Sequence, residues 1–120
     1  MNYIHTLTRY YQDLYGWDTI EVEDSFLAFS LENESLNVCE FYVPPEKRKK
    51  GIAKKLINTA IDIAIKNNCK DIRAKIELVK NGQLTMDPSL SLKVILGHGF
   101  VPYGAENNEI YVIRELKKYE

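Results

Sequence analysis

Histidine and cysteine are scarce in this chain, at two each in 120 residues. His5 and His98 lie far apart with no Cys/His cluster beside either, which argues against a metal site of the usual spacing. Cys39 and Cys69 sit in apolar or helix-end sequence without CxxC spacing, so both are expected as buried free thiols in a reducing compartment. No apolar run reaches transmembrane length, and "MNYIHTLTRYYQDLYG" lacks the continuous apolar stretch of a secretory signal. An excess of one charge is missing too. Sixteen Lys and Arg against seventeen Asp and Glu leave a net charge of −1, unlike a protein that lives by coating nucleic acid. These absences set the expectation of a soluble cytoplasmic protein without membrane contact. A single domain over residues 1–120 would bury about two-thirds of its unfolded surface.

What is present is a run of well-patterned elements. Ile4, Leu7, Tyr11, Leu14 and Tyr15 share one face of a helix over residues 3–15 that stops at Gly16. The aromatics Tyr10, Tyr11, Tyr15 and Trp17 suit either an interface or the core, and the core is the favoured expectation. Strands follow over 17–23, 26–31 and 36–43, with turns at Asp24-Ser25 and at "ENES" (32–35), until Pro44-Pro45 ends the third. From Gly51 to Asn67, the apolar stripe Ile52, Leu56, Ala60 and Ala64 marks the clearest helix, with Lys54, Asn58 and Asp62 off the stripe. Residues 71–79 alternate as a strand. Asp87-Pro88 reads as an N-cap and first turn of a helix that dies at Gly97-His98-Gly99. Strands near 100–104 and 109–116, joined by "GAENNE", close the chain. The order α-β-β-β-α-β-α-β-β describes an α+β domain with one mixed, mostly antiparallel sheet. A right-handed crossover would set strands 36–43 and 71–79 parallel at its centre.

Between the third strand and the long helix lies "PPEKRKKGIAKK". A helix start offers backbone N–H groups without internal partners and the positive end of the helix dipole, a natural seat for an anion. Gly51 allows close approach, Ala53 keeps the next turn small, and Arg48, Lys49, Lys50 and Lys54 raise the local potential. The same residues also fit a tight strand–helix turn with solvated lysines, and the physics alone leaves the two readings level.

Arg48-Lys49-Lys50-Gly51-Ile52-Ala53 fits the (Gln/Arg)-x-x-Gly-x-(Gly/Ala) signature, and its setting resembles the GNAT superfamily of acetyl-CoA-dependent N-acetyltransferases. "SLKVILGHGFVPYG", with Gly99-Phe100, is similar to that family's second helix and closing Gly-Phe. The resemblance implies that acetyl-CoA is the co-substrate. Its pyrophosphate would lie on the main chain from Arg48 to Ala53, with Lys54 or Lys55 near the 3′-phosphate. Its pantetheine arm would run along Phe41, Tyr42 and Val43. That arrangement requires the two parallel strands to splay apart at a bulge near Glu40–Tyr42.

Acetyl transfer to an amine needs a base and an oxyanion donor. Glu40 is the nearest carboxylate in sequence, and a strand N–H near Tyr42 suits the oxyanion. The sequence departs from the family at three places. Ile95 stands where many members carry a thiolate-protonating tyrosine, which leaves Tyr103, or Tyr111, as the substitute acid. Pro88 replaces a CoA-contacting asparagine, and Asn37 falls where some members have a catalytic glutamate. The usual first strand is also missing, so the acceptor site would be open or completed by another chain, which suits a protein lysine better than a small metabolite. Three functions follow: an N-acetyltransferase acting on a primary amine, small or on a protein; an inactive binding module of the same fold; and a nucleic-acid contact through Lys47–Lys50.

Overall fold

The computed structural model describes residues 3–47, 50–77, 79–80, 83–84, 95–107 and 109–116, with the backbone alone for residues 3–8, 77, 79–80 and 83–84. Helix α1 (Tyr3–Tyr15) is followed by β1 (Asp18–Val22), β2 (Ser25–Glu32) and β3 (Ser35–Tyr42). A short 3-10 turn, Pro45–Lys47, leads to α2 (Ile52–Lys66). Then come β4 (Asp71–Glu77), β5 (Val79–Lys80), β6 (Gln83–Leu84), β7 (Val101–Glu106) and β8 (Glu109–Glu115). Six strands form one sheet in the order β1-β2-β3-β4-β8-β7, and β5 and β6 form a separate small hairpin. Asp87, Pro88 and most of the helix expected after them lie outside the described residues, but Ile95 and Leu96 at its end are helical.

The meander is closed by two-residue turns. Glu23 and Asp24, then Asn33 and Glu34, all hold φ between +45° and +65°, the pairing that matches the right-handed twist of the flanking strands. The first turn therefore sits one residue earlier than expected. Ser25 is a buried strand residue opposite Val22, not a turn residue. At the other end, Gly104 to Glu106 continue β7 and pair with β8, so most of the expected "GAENNE" turn is strand.

Helix α2 behaves as its stripe demands. Ile52, Leu56, Ile57, Ala60, Ile61 and Ala64 are all buried, in one core cluster with Leu27, Phe29, Leu36, Ile72 and Val112 of the sheet and with Val43 and Phe100 just outside its strands. It ends in a Schellman arrangement. Asn68 takes φ +57°, the Cys69 N–H donates to the Ala64 carbonyl at 2.9 Å, and the Asn68 N–H to the Ile65 carbonyl at 3.1 Å. The chain then drops Cys69 into the core and starts β4, anchored by the Lys70 N–H on the Glu34 carbonyl at 2.7 Å.

The other face of the sheet carries α1, and here the expectation of a core role fails. Tyr10, Leu14 and Tyr15 are each more than half exposed, while Tyr11 and Trp17 are half-buried. Among the described residues, Tyr11 packs on Phe26 and Trp17, and the sheet face beyond them presents Asn37 and Glu40 from β3 and Arg73 and Lys75 from β4. Gln12 Nε2 donating to Asp18 Oδ1 at 3.1 Å ties its last turn to β1.

Candidate active site

Strands β3 and β4 are parallel neighbours, yet they pair over only three positions: Ser35↔Asp71, Leu36↔Ile72 and Asn37↔Arg73. Beyond them β3 continues to Tyr42 and β4 to Glu77, each paired on its far side alone. A wedge therefore opens between the two strands. Its cause lies in the β2–β3 register, which runs Phe29↔Val38 and then Ala28↔Glu40, so Cys39 is an extra residue on β3. Such a bulge bends and twists the strand that carries it. The expected bulge is present one residue before the range Glu40–Tyr42.

Register also assigns the faces. Leu27, Phe29 and Leu36 pack on α2, so their cross-strand partners Phe41 and Val38 share that side. Ala28, Phe26 and their partners Glu40 and Tyr42 share the side of α1. Glu32 and Ser35 close a two-residue hairpin and exchange ladder hydrogen bonds, and alternation from that pair turns the main chain of Leu36 and Val38 toward β4. The extra residue moves the alternation by one. As a result the main-chain groups of Phe41, flanked by Glu40 and Tyr42, face the wedge.

At the closed end of the wedge a polar cluster pins the strands. Ser35 Oγ donates to the buried Asp71 Oδ1 at 2.5 Å, and Arg73 Nε and Nη2 donate to the two carboxylate oxygens at 3.3 and 3.4 Å. Asp71, with a smaller contribution from Tyr103, raises the Arg73 pKa. The cavity of about 180 Å³ beside this cluster is lined by Glu32, Asn33, Ser35, Asn37, Lys70 and Arg73.

At the wedge's open end stands the start of α2. Gly51 is its N-cap at φ +80°, with no side-chain hydrogen bond capping the turn, and a Cβ built there meets nothing within 4 Å. The Lys55 N–H is the first to find a helical partner, the Gly51 carbonyl at 3.1 Å. Earlier N–H groups of the first turn point out of the helix. Lys50 and Lys54 are exposed around them, whereas Ile52 and Val43 bury their side chains and offer the site only main chain. Arg48 and Lys49 lie outside the described residues.

The two expected catalytic residues share the α1 face but are not neighbours. Glu40 is half-buried on the wedge's β3 wall, beside Tyr11, whose hydroxyl pKa is raised first by burial and next by the Glu40 charge. Tyr103 is exposed on the edge strand β7, its ring 6.1 Å from that of Tyr111. With β4 and β8 between, it stands three strand spacings, about 14 Å, from β3. Tyr111 itself donates to Glu109 Oε2 at 3.1 Å, which raises its pKa. Ile95 packs against the core cluster, so no phenol occupies that position. Sequence reasoning overlooked the aromatic ring row beside Glu40. Its one available signal was the density of tyrosines between residues 10 and 17.

A wedge between parallel strands, closed by a polar clasp and facing an uncapped helix start, is an acyl-CoA-binding geometry, and comparison with known proteins agrees. The sequence model of the Acetyltransferase (GNAT) family matches residues 7–83, and the chain belongs to that family. Acetyl-CoA is the family's co-substrate. No curated protein matches the chain by sequence. Among solved structures, the PaiA N-acetyltransferase of Thermoplasma acidophilum in complex with coenzyme A is similar at TM-score 0.65 and 16% identity, over 77% of this chain and 53% of that one. This chain thus spans about half of that enzyme. A Pyrococcus horikoshii OT3 protein is similar at TM-score 0.67 and 19% identity, over 97% and 76%. A Bacillus anthracis str. Ames structure in complex with acetyl coenzyme A gives 0.63 and 20%, over 78% and 56%. At these identities the likeness is one of fold.

The residues here suit such a ligand. Beyond Asn37 and Arg73 the facing edges of β3 and β4 do not pair with each other, and the space over Gly51 is open. No described helix is long and apolar enough to cross a membrane.

Proposed function

We propose that the protein is an N-acetyltransferase that moves an acetyl group from acetyl-CoA to a primary amine. The observation that carries this reading is the three-pair seam of β3 and β4 opening, at the Cys39 bulge, toward the uncapped N-terminus of α2. The main chain of Phe41, Tyr42 and Val43 would hold the pantetheine arm. The amides from Gly51 to Ala53, with Arg48, Lys49 and Lys50, would hold the pyrophosphate, and Lys54 would meet a further phosphate.

Acetyl-CoA supplies an activated acetyl group as a thioester. The amine must arrive neutral, and deprotonating a free lysine-type amine at pH 7 costs about 4–5 kcal/mol. Glu40, on the wedge wall, is the proposed acceptor of that proton. The Phe41 main-chain N–H is the proposed donor to the carbonyl oxygen as the carbon–nitrogen bond forms and the carbon–sulfur bond breaks. The departing thiolate, with a reference pKa near 8.5, is a stable leaving group and needs little acid help. For this reason Glu40 carries more of the mechanism than Tyr103. Tyr103, whose phenol reaches toward Arg73 on β4, could act as acid only through a relay from there across the wedge.

Calorimetric titration with acetyl-CoA tests the reading. The parent protein should bind with micromolar affinity. Gly51→Glu, which puts a carboxylate into the open space over the helix start, should bind at least about a hundredfold more weakly while keeping its fold. Absence of binding by the folded parent would overturn the proposal. The packed Ile95 favours a second reading, a CoA-binding module without transferase activity. It predicts the same titration with no thiol released in the presence of any amine.

A further inference from the structure

This inference rests on the acetyltransferase reading and concerns the amine. The acceptor reaches the wedge from one side only, because α2 and its core cluster fill the other face of the sheet. On the open side an unbroken row of aromatic rings leads away from the wedge. Tyr42 of β3 lies 6.2 Å from Phe26 of β2, Phe26 lies 6.1 Å from Tyr11 of α1, and Tyr11 lies 5.4 Å from Trp17. Tyr15 stacks on Trp17 at 4.5 Å and 24°. Tyr42 is 44% exposed and Tyr15 55%, so the row presents apolar ring faces to solvent beside the wedge. Glu40, two residues from Tyr42 and on the same face, puts a carboxylate at the row's inner end, opposite the buried Ala28.

Charge on this face is one-sided in a useful way. Glu40 and, next to Phe26, Glu21 lie on the β1–β3 side. Across the wedge, β4 presents Arg73 and Lys75 to the same face, with Asp71 holding Arg73 and Glu109 3.6 Å from Lys75. An ammonium is drawn toward Glu40 and the ring faces, since both a carboxylate and an aromatic quadrupole attract a cation. On the β4 wall the carboxylates of Asp71 and Glu109 are each already matched by a cation, so a second ammonium reaching that way gains no further partner there. Rings that cover nothing in the core gain from burying a flat apolar body.

We infer that the acceptor is an arylalkylamine-type substrate: a primary amine with one ammonium on a compact aromatic body. Tyr11, Phe26 and Tyr42 hold the body, and Glu40 orients the nitrogen at the wedge. This differs from a polyamine or a lysine within a basic segment, both of which bring several cations.

Trp17 is the single tryptophan and belongs to the ring row, so its emission reports occupancy without any turnover. Phenethylamine titrated into the CoA-loaded protein should change Trp17 emission saturably and be acetylated. Spermidine and a lysine-containing basic peptide should do neither at the same concentrations. Phe26→Leu should weaken phenethylamine binding by about tenfold, with acetyl-CoA affinity unchanged. The near-isosteric Glu40→Gln should also weaken it, without disturbing the rings. Acetylation of spermidine or the peptide, with phenethylamine inert in both assays, would overturn the inference and leave the transferase standing. Saturable phenethylamine binding without transfer to any amine would uphold the aromatic site and sink the transferase.

Discussion

Burial of Cys69 behind the end of α2 raises its thiol pKa, first through desolvation and then through the charges of Asp71 and Glu34. The folded protein thus holds this proton more tightly than the unfolded chain, whose thiol titrates at its ordinary value of about 9.0. The contribution to stability is intact below that value and is lost as pH rises through the higher folded value. Urea midpoints measured between pH 8 and 10.5 should fall with rising pH, and Cys69→Ala should flatten that fall while lowering the midpoint throughout. Cys39 is different in setting. It is half-buried, with Sγ 3.5 Å from the Asn37 carbonyl and 3.9 Å from Ser30 Oγ, and desolvation is the main cause of its raised pKa. The residue types at these two positions were readable as free thiols. That one of them is the extra residue of a bulge was not, because cysteine carries no turn preference and a bulge at an alternating strand leaves the pattern on both sides intact.

At the level of elements, period and punctuation were enough to find α2 and the meander. Ile52, Leu56, Ala60 and Ala64 recur at helical spacing and are all buried, and Leu27, Phe29 and Leu31 alternate as strand residues do. The errors came where backbone conformation overrides residue type. Glu23 adopts φ +45° although glutamate seldom does, so the residues that looked most like a turn, Asp24-Ser25, are displaced by one from the true bend. Helix α1 misled in another way. Of its described apolar positions, Tyr11 and Tyr15 join a ring row beside the wedge and Leu14 is exposed. The splay itself depends on a single residue. Deleting Cys39 removes the bulge while preserving the partner of every other residue in β3, so β3 and β4 should zip beyond Asn37 and close the wedge. The expected result is a protein with unchanged circular dichroism that has lost at least about tenfold in acetyl-CoA affinity by calorimetry.

For the whole molecule, the sheet consists of two three-stranded parts, β1-β2-β3 and β4-β8-β7, joined by three parallel pairs, the Ser35–Asp71–Arg73 clasp and α2 across the back. A ligand lying in the wedge would span both parts. Acetyl-CoA at a hundred times its dissociation constant should stabilise the fold by about 2.7 kcal/mol and raise the melting temperature accordingly. A thermal scan with and without ligand, repeated on Gly51→Glu, checks this: the shift should vanish in the variant. Fold class and family were legible at this scale because they are written in element order and in a signature set around one glycine between strand and helix. The proposed acceptor wall was not, because it would be assembled from residues 11, 17, 26 and 42, which no sequence spacing brings together.

The brevity of the parallel seam also has a consequence in time. The meander is closed by two-residue turns and can form locally within microseconds, as hairpins do. The seam, by contrast, must bring residue 35 to residue 71 across the whole length of α2. Native order at the wedge is therefore expected only after the meander has formed, and the proposed binding site is also the joint between the two halves of the sheet.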